Sequence, residues 1–248
     1  MKRRIIPWGR SLGVALALAT AACDRSDPAE AASASGDEGG WTRAPQITAV
    51  NWSANGPVVS GVAGPGARVV LREDGAGAFA ASTDASGRFE VHVAPLTHGV
   101  LLTPEVQKGQ EAAPGRQVLV LAPGETPLAA LLAAGQASRR LGAGGPLDSI
   151  DGDGRGLVAS GRATTGDAVT LSTGRGESIT VAAGEGGLWE AAPPGLADGP
   201  ASLTVGARVY AYPGPGDDRG RLERLEGGWR ITRQIENGAR QTSWFPDP

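Results

Sequence analysis

From residue 47 onwards, apolar side chains recur at every second position in short runs. Val69 and Leu71 alternate with Val70 and Arg72, and Phe89, Val91 and Val93 alternate with Glu90, His92 and Ala94. Val169 and Leu171, then Ile179 and Val181, repeat the habit. A period of two puts one set of side chains on a single face of an extended chain, which is how a strand half-buried in a sheet is written. Glycine and proline separate the runs. Gly66 and Gly166 fall where the chain must turn between strands, and a residue without a Cβ adopts positive φ there without a clash. "DASGRF" and "GEGGLW" mark a second turn feeding a strand, with Phe89 and Trp189 expected to plug the core.

Two stretches are less direct. Residues 126–141 would suit a helix, with Thr126 as N-cap, Pro127 in the first turn and Leu128, Leu131 and Leu132 on one face. Yet "RQVLVLAPGETPLAALLAAG" parallels "ARVYAYPGPGDDRGRLERLEGG": each is an alternating strand, a Pro/Gly turn and a leucine segment ending at glycine. The later segment runs into a hairpin, so an extended element is expected in both. That hairpin is "WRITRQIENGARQTSWF", where Asn237-Gly238 fits a type I′ turn and sets Ile231 opposite Trp244 and Arg233 opposite Thr242. With the leucine strand before it, the hairpin makes a three-stranded meander, and Arg230, Arg233 and Arg240 give it a positive face.

The chain repeats itself at an interval of 100 residues. Ser60, Gly61, Ala63, Gly66, Val69 and Leu71 match Ser160, Gly161, Ala163, Gly166, Val169 and Leu171 without a gap. The register reaches back through Ile47/Leu147 and Val50/Ile150 and forward to Gly87/Gly187, Phe89/Trp189 and Glu90/Glu190. Such a period is too long for a solenoid and fits a duplicated domain. The expected organisation is a signal segment at 1–22, a tether at 23–44, one domain at 45–142, a second at 146–214, and a terminal meander at 215–248 packed on the second domain.

Composition agrees with short strands and many turns: the 248 residues include 39 Gly and 18 Pro, and aromatics are only 4%. The first residues read differently. "MKRRIIPWGR" is a cationic segment, "SLGVALALAT" is apolar but too short to cross a membrane, and "TAAC" ends in the sole cysteine. Removing Lys2, Arg3, Arg4 and Arg10 from the 23 cations leaves 19 against 26 acidic residues, a net charge of −7. No basic run survives, so nucleic acid is not an expected partner.

Two resemblances follow from these residues. The cysteine closing "TAAC" resembles the lipobox of bacterial lipoproteins, which implies that Cys23 is acylated, becomes the new N-terminus, and holds the protein on the membrane facing the periplasm. Inner and outer membrane both fit, and the alternative is an ordinary export signal cut after Ala21. Residues 24–44 are polar, small and acidic, as a flexible tether would be, with Trp41 expected to dock on the first domain. Further on, "VSGVAGPGARVVL … STDASGRFEV" and "ASGRATTGDAVTL … GEGGLWEA" resemble bacterial Ig-like modules and the related carboxypeptidase-regulatory-like modules. This implies an all-β chain of two tandem sandwiches of about seven strands each. Fold of this kind carries no activity with it.

The catalytic inventory is thin. His92 is expected to face outward beside Glu90, and His98 lies in a turn. No nucleophile elbow, phosphate loop or zinc-protease motif is present in the sequence. "DGDGRG" at 151–156 begins like a calcium loop, but Arg155 stands at the third ligand position and Arg162 where the bidentate acid belongs, so an acidic turn is the better reading. Asp217-Asp218 reads as a solvated pair. The expectation is therefore a non-enzymatic envelope protein, without cofactor or metal, that binds or scaffolds an envelope protein; the alternative is a binder of cell-wall glycan. Trp52, which the shared core does not fix, and Trp229 and Trp244 on the hairpin are the candidate binding surface, because exposed tryptophans stack on sugars and fill partner pockets.

Overall fold

The computed structural model describes residues 44–248 apart from 109–110, 197–198, 217–221 and 236–237. The signal segment, Cys23, the tether to residue 43 with Trp41, the Asp217-Asp218 pair and Asn237 lie outside the described residues. Among the described residues, twenty strands in four antiparallel sheets account for the regular structure, with one 3-10 turn at Glu185–Gly187. No sheet of the described residues closes into a barrel.

In the first sandwich, β1 (Gln46–Asn51), β2 (Val58–Val62) and β5 (Arg88–His92) form a three-stranded sheet. It faces a sheet of seven, in the order β10 (Arg139–Arg140), β9 (Leu128–Ala133), β8 (Gln117–Ala122), β6 (Val100–Lys108), β3 (Arg68–Glu73) and β4 (Ala78–Ser82), with β7 (Glu111–Pro114) paired to β6. The core between them holds the residues the alternation selects: Val59, Val69, Leu71, Phe89 and Val91, joined by Leu102, Leu119 and Leu121. Burial of each such side chain stabilises by roughly 1.5–3 kcal/mol.

The second sandwich repeats the plan. β11 (Ser149–Gly152), β12 (Leu157–Arg162) and β15 (Leu188–Ala191) face the four-stranded sheet of β13 (Ala168–Thr173), β14 (Ser178–Ala182), β16 (Ala201–Val205) and β17 (Arg208–Tyr212). Trp189 occupies the position of Phe89, and both are buried. Gly66 and Gly166 have φ of 68° and 87°, as the turn reading requires.

The copies part company after these strands. In the first, the leucine segment forms β9 and stays beside β8 in its own sheet. In the second, its counterpart β18 (Leu222–Leu225) pairs with β19 (Gly228–Gln234), and β20 (Arg240–Pro246) pairs with β11, so the meander extends the opposite sheet. Each sandwich thus contains ten strands. All six residues of β9 are buried, because both faces of the strand are covered. Ala129 and Leu131 enter the first core, while Leu128, Ala130 and Leu132 turn to a further core shared with Val120, Ala122, Ile231 and Phe245. This third core joins the sandwiches.

The hairpin differs from expectation by one residue. Ile231 faces Ser243 and Arg233 faces Gln241, not Trp244 and Thr242. Gly238 has φ of 74° and donates its N–H to the Ile235 carbonyl at 3.2 Å, while the Ile235 N–H reaches the Ala239 carbonyl at 2.8 Å. The loop closed by Ile235 and Ala239 is longer than a two-residue turn, and the ladder shifts accordingly. The three arginines share no face, since Arg230 and Arg240 project opposite to Arg233.

Candidate functional site

The seam between the sandwiches continues from the third core into a buried polar cluster. Ser149 and Asp151 lie two apart on β11, so both project to the face turned away from the second core. There the Asp151 carboxylate accepts from the Ser138 hydroxyl at 2.5 Å, the Ser138 N–H at 2.8 Å and the Ser149 hydroxyl at 2.8 Å, and from the Ser243 hydroxyl. Ser149 in turn meets Ser160 at 3.0 Å. Asp151 is 6% exposed and its hydrogen bonds are to groups from both sandwiches. Asp153, its neighbour in the calcium-like string, instead accepts the N–H groups of Arg155 (2.8 Å) and Gly156 (3.1 Å) at the surface. These turn contacts lower its pKa, and the two acids do not converge.

Arg140 and Asp148 lie along the same seam. Arg140 is 5% exposed, donates from Nη2 to the Pro246 carbonyl at 2.6 Å and lies over the Phe245 ring, 5.9 Å from its centre. Arg162 donates to Asp148 from Nε at 2.8 Å and to the carbonyls of Gly142 (2.8 Å) and Arg140 (2.5 Å). Burial pushes the Asp148 carboxyl up and the Arg140 guanidinium down, each partly offset by the charges of its neighbours. Sequence reasoning assigned Arg162 only a negative role, as a residue that spoils a calcium loop. Its place opposite Asp148 depends on a contact between residues 14 positions apart.

Alongside the third core the sandwiches leave a cleft of about 840 Å³. One wall is the outer surface of the seven-stranded sheet, with Leu101, Thr103 and Val118; the other belongs to the meander, with Leu222 and Arg233. Leu101, Val118 and Leu222 are half-buried and pack on the third core. The walls close at Gly99, where an added Cβ would run into the Leu222 side chain. Arg233 donates from Nε (2.9 Å) and Nη2 (2.7 Å) to Gln241 Oε1, and Gln241 Nε2 donates to the Ala133 carbonyl at 3.1 Å. Among the described residues no carboxylate comes within ion-pair distance of Arg233. Burial lowers its pKa, and the field of Asp151 opposes that only in part.

The structure does not bring the three candidate tryptophans together. Trp244 is 1% exposed, sits in the second core and meets the Tyr212 ring edge-on at 5.8 Å, so it is not a surface residue. Trp229, on the opposite face of the meander, is half-buried on the third core beneath the Arg224 guanidinium, which is 5.6 Å from the ring centre. Trp52 is half-buried against the first core. His92 and His98 are both exposed, and His98 contacts Thr97 at 3.3 Å. Among the described residues no three His, Cys, Asp or Glu side chains gather as metal ligands would. Comparison of the chain with protein-family models and with curated proteins found no match.

Proposed function

We propose that this protein is a non-enzymatic, lipid-anchored component of a bacterial cell envelope, whose two Ig-like modules act as one body in binding or scaffolding. The observation that carries the reading is the joint between the sandwiches: the third core and the Asp151 seam fix one module on the other, with a cleft left between them. A fixed pair of sandwiches presents a surface of constant shape, which lowers the ordering cost of binding. No helix of the described residues is long and apolar enough to cross a membrane, which fits attachment through Cys23 acyl chains. Asp151 is closed in by hydroxyls, and Asp148 holds Arg162 through one of its two oxygens.

The test has two parts. Cells expressing the full chain are labelled with a palmitate analogue; incorporation that vanishes in Cys23→Ala supports the anchor, and equal labelling of both chains rejects it. The detergent-solubilised chain is then incubated with peptidoglycan and, separately, with envelope proteins crosslinked in the cell. Retention on peptidoglycan selects the wall-glycan alternative, whereas a crosslinked protein partner selects scaffolding. Absence of both would reject the binding reading.

A further inference from the structure

We propose that the cleft between the sandwiches binds an apolar monocarboxylate, with Arg233 anchoring the carboxylate and Leu101, Val118 and Leu222 packing the aliphatic body. The inference rests on reading the protein as a binding module and names the ligand class of its cleft. Arg72, Arg162, Arg224 and Arg230 are each paired with a carboxylate; among the described residues the buried Arg140 and the half-buried Arg233 are not, and of these two it is Arg233 that lines the cleft. A neutral amide oxygen, Gln241 Oε1, takes Nε and Nη2, leaving Nη1 without a protein partner among the described residues. Gln241 is itself tied to the Ala133 carbonyl, so the guanidinium is held at a set angle beside the cleft. A half-buried cation lacking a counter-ion is costly. A ligand carboxylate would supply the missing charge through charge-assisted hydrogen bonds.

The rest of the lining limits the ligand further. Leu101, Val118 and Leu222 offer apolar surface beside the guanidinium, and the Thr103 position adds a polar group. Glu73 and Asp74 border the same space and have no ion-pair partner among the described residues. On the sheet wall their charge opposes a second anionic group, while Arg240 borders the same space from the meander. A volume of about 840 Å³ lies within the range of small-molecule sites.

Such a group could come from a free aliphatic acid or from the C-terminus of a peptide. The full-length chain in detergent is titrated by ligand-observed NMR with hexanoate and with N-acetyl-leucine, against hexanamide and N-acetyl-leucinamide. At least one acid is expected to bind about tenfold or more tightly than its amide, the size of effect a charge-assisted hydrogen bond gives. Hexanoate alone identifies the free acid; N-acetyl-leucine alone identifies the peptide end. Arg233→Met should remove the preference for acid over amide, and Arg233→Lys should keep part of it. The proposal is overturned if neither acid binds, if amides bind as well as acids, or if Arg233→Met retains the preference. A palmitate-labelled chain that binds no acid overturns the cleft and leaves the anchored module standing; acid binding by an unlabelled chain does the reverse.

Discussion

Phe245→Ala tests whether the two sandwiches are one cooperative body. Phe245 is the largest fully buried side chain of the third core; it belongs to neither the first core nor the second. Truncating a buried Phe costs about 3–5 kcal/mol, from lost transfer energy and the cavity left behind. The Arg140 guanidinium loses the ring it lies over, worth about 0.5–2 kcal/mol more. Together this is a large part of the roughly 5–15 kcal/mol that holds an ordinary domain folded. The loss falls on the joint, because every other buried member of the third core is smaller than Phe245 and held on its own strand. In urea, followed by hydrogen exchange and mass spectrometry, the wild type should lose protection in β5 and β13 at one midpoint. Phe245→Ala should unfold at lower urea and separate those midpoints. Trp244→Ala, which opens the second core instead, should lower the midpoint of β13 first. A loss below about 1 kcal/mol for Phe245→Ala, with β5 and β13 still unfolding together, would refute the coupling through this core.

Three further outcomes are expected. Gly61→Ala and Gly161→Ala should each destabilise by about 1–3 kcal/mol, since the new methyl would meet the Phe89 ring and the Gln46 carbonyl in one copy, and the Trp189 ring and the Pro146 carbonyl in the other; Gly64→Ala, with nothing within 4 Å, should stay within about 0.5 kcal/mol in the same denaturation assay. Asp151→Ala removes the carboxylate that accepts from the Ser138, Ser149 and Ser243 hydroxyls, leaving them the weaker contacts among themselves and with the Ser138 carbonyl, and should cost about 1–3 kcal/mol in urea denaturation, whereas an unchanged midpoint would show that water replaces the carboxylate. Burial raises the Asp148 pKa, so the native state keeps that proton to higher pH than the unfolded chain, whose carboxyl ionises near about 3.9. Stability conferred on the neutral form is therefore lost as pH rises from there through the native pKa, and the wild type should weaken relative to Asp148→Asn across that window. A difference constant with pH would exclude the effect.

Much of the architecture was legible because it is local. Alternation placed β3, β5, β13 and β14, and the 100-residue register made each copy evidence for the other. The repeated Gly61 and Gly161 were matched but not explained: they are bare because Phe89 and Trp189 lie against them, a contact between neighbouring strands. The hairpin register departs from the expected one because turn residues alone do not set it. Register also answers to burial, and here β20 must present Trp244 to the second core and Phe245 to the third on successive residues. One signal for the joint was present in "LAALLA". A strand apolar at every position is covered on both faces, which a lone sandwich does not provide for β9.

The differences between the copies locate what is not explained by duplication. Ser149 and Asp151 correspond to Ala49 and Asn51, which are half-buried and exposed, because the same face of β1 has no sandwich laid against it among the described residues. The polar side chains of β11 are therefore not remnants of a surface; they are matched to Ser138 and Ser243, from segments outside the repeated strands. The cleft has the same origin. Its Arg233 and Leu222 come from the meander, and its opposite wall is the back of a sheet whose other face fills the first core. Since neither module alone possesses both walls, selection for a ligand there would act on the joint, and a substitution such as Phe245→Ala should weaken acid binding without touching Arg233. Binding that survives separation of the sandwiches would place the site within one module and detach the ligand from the joint.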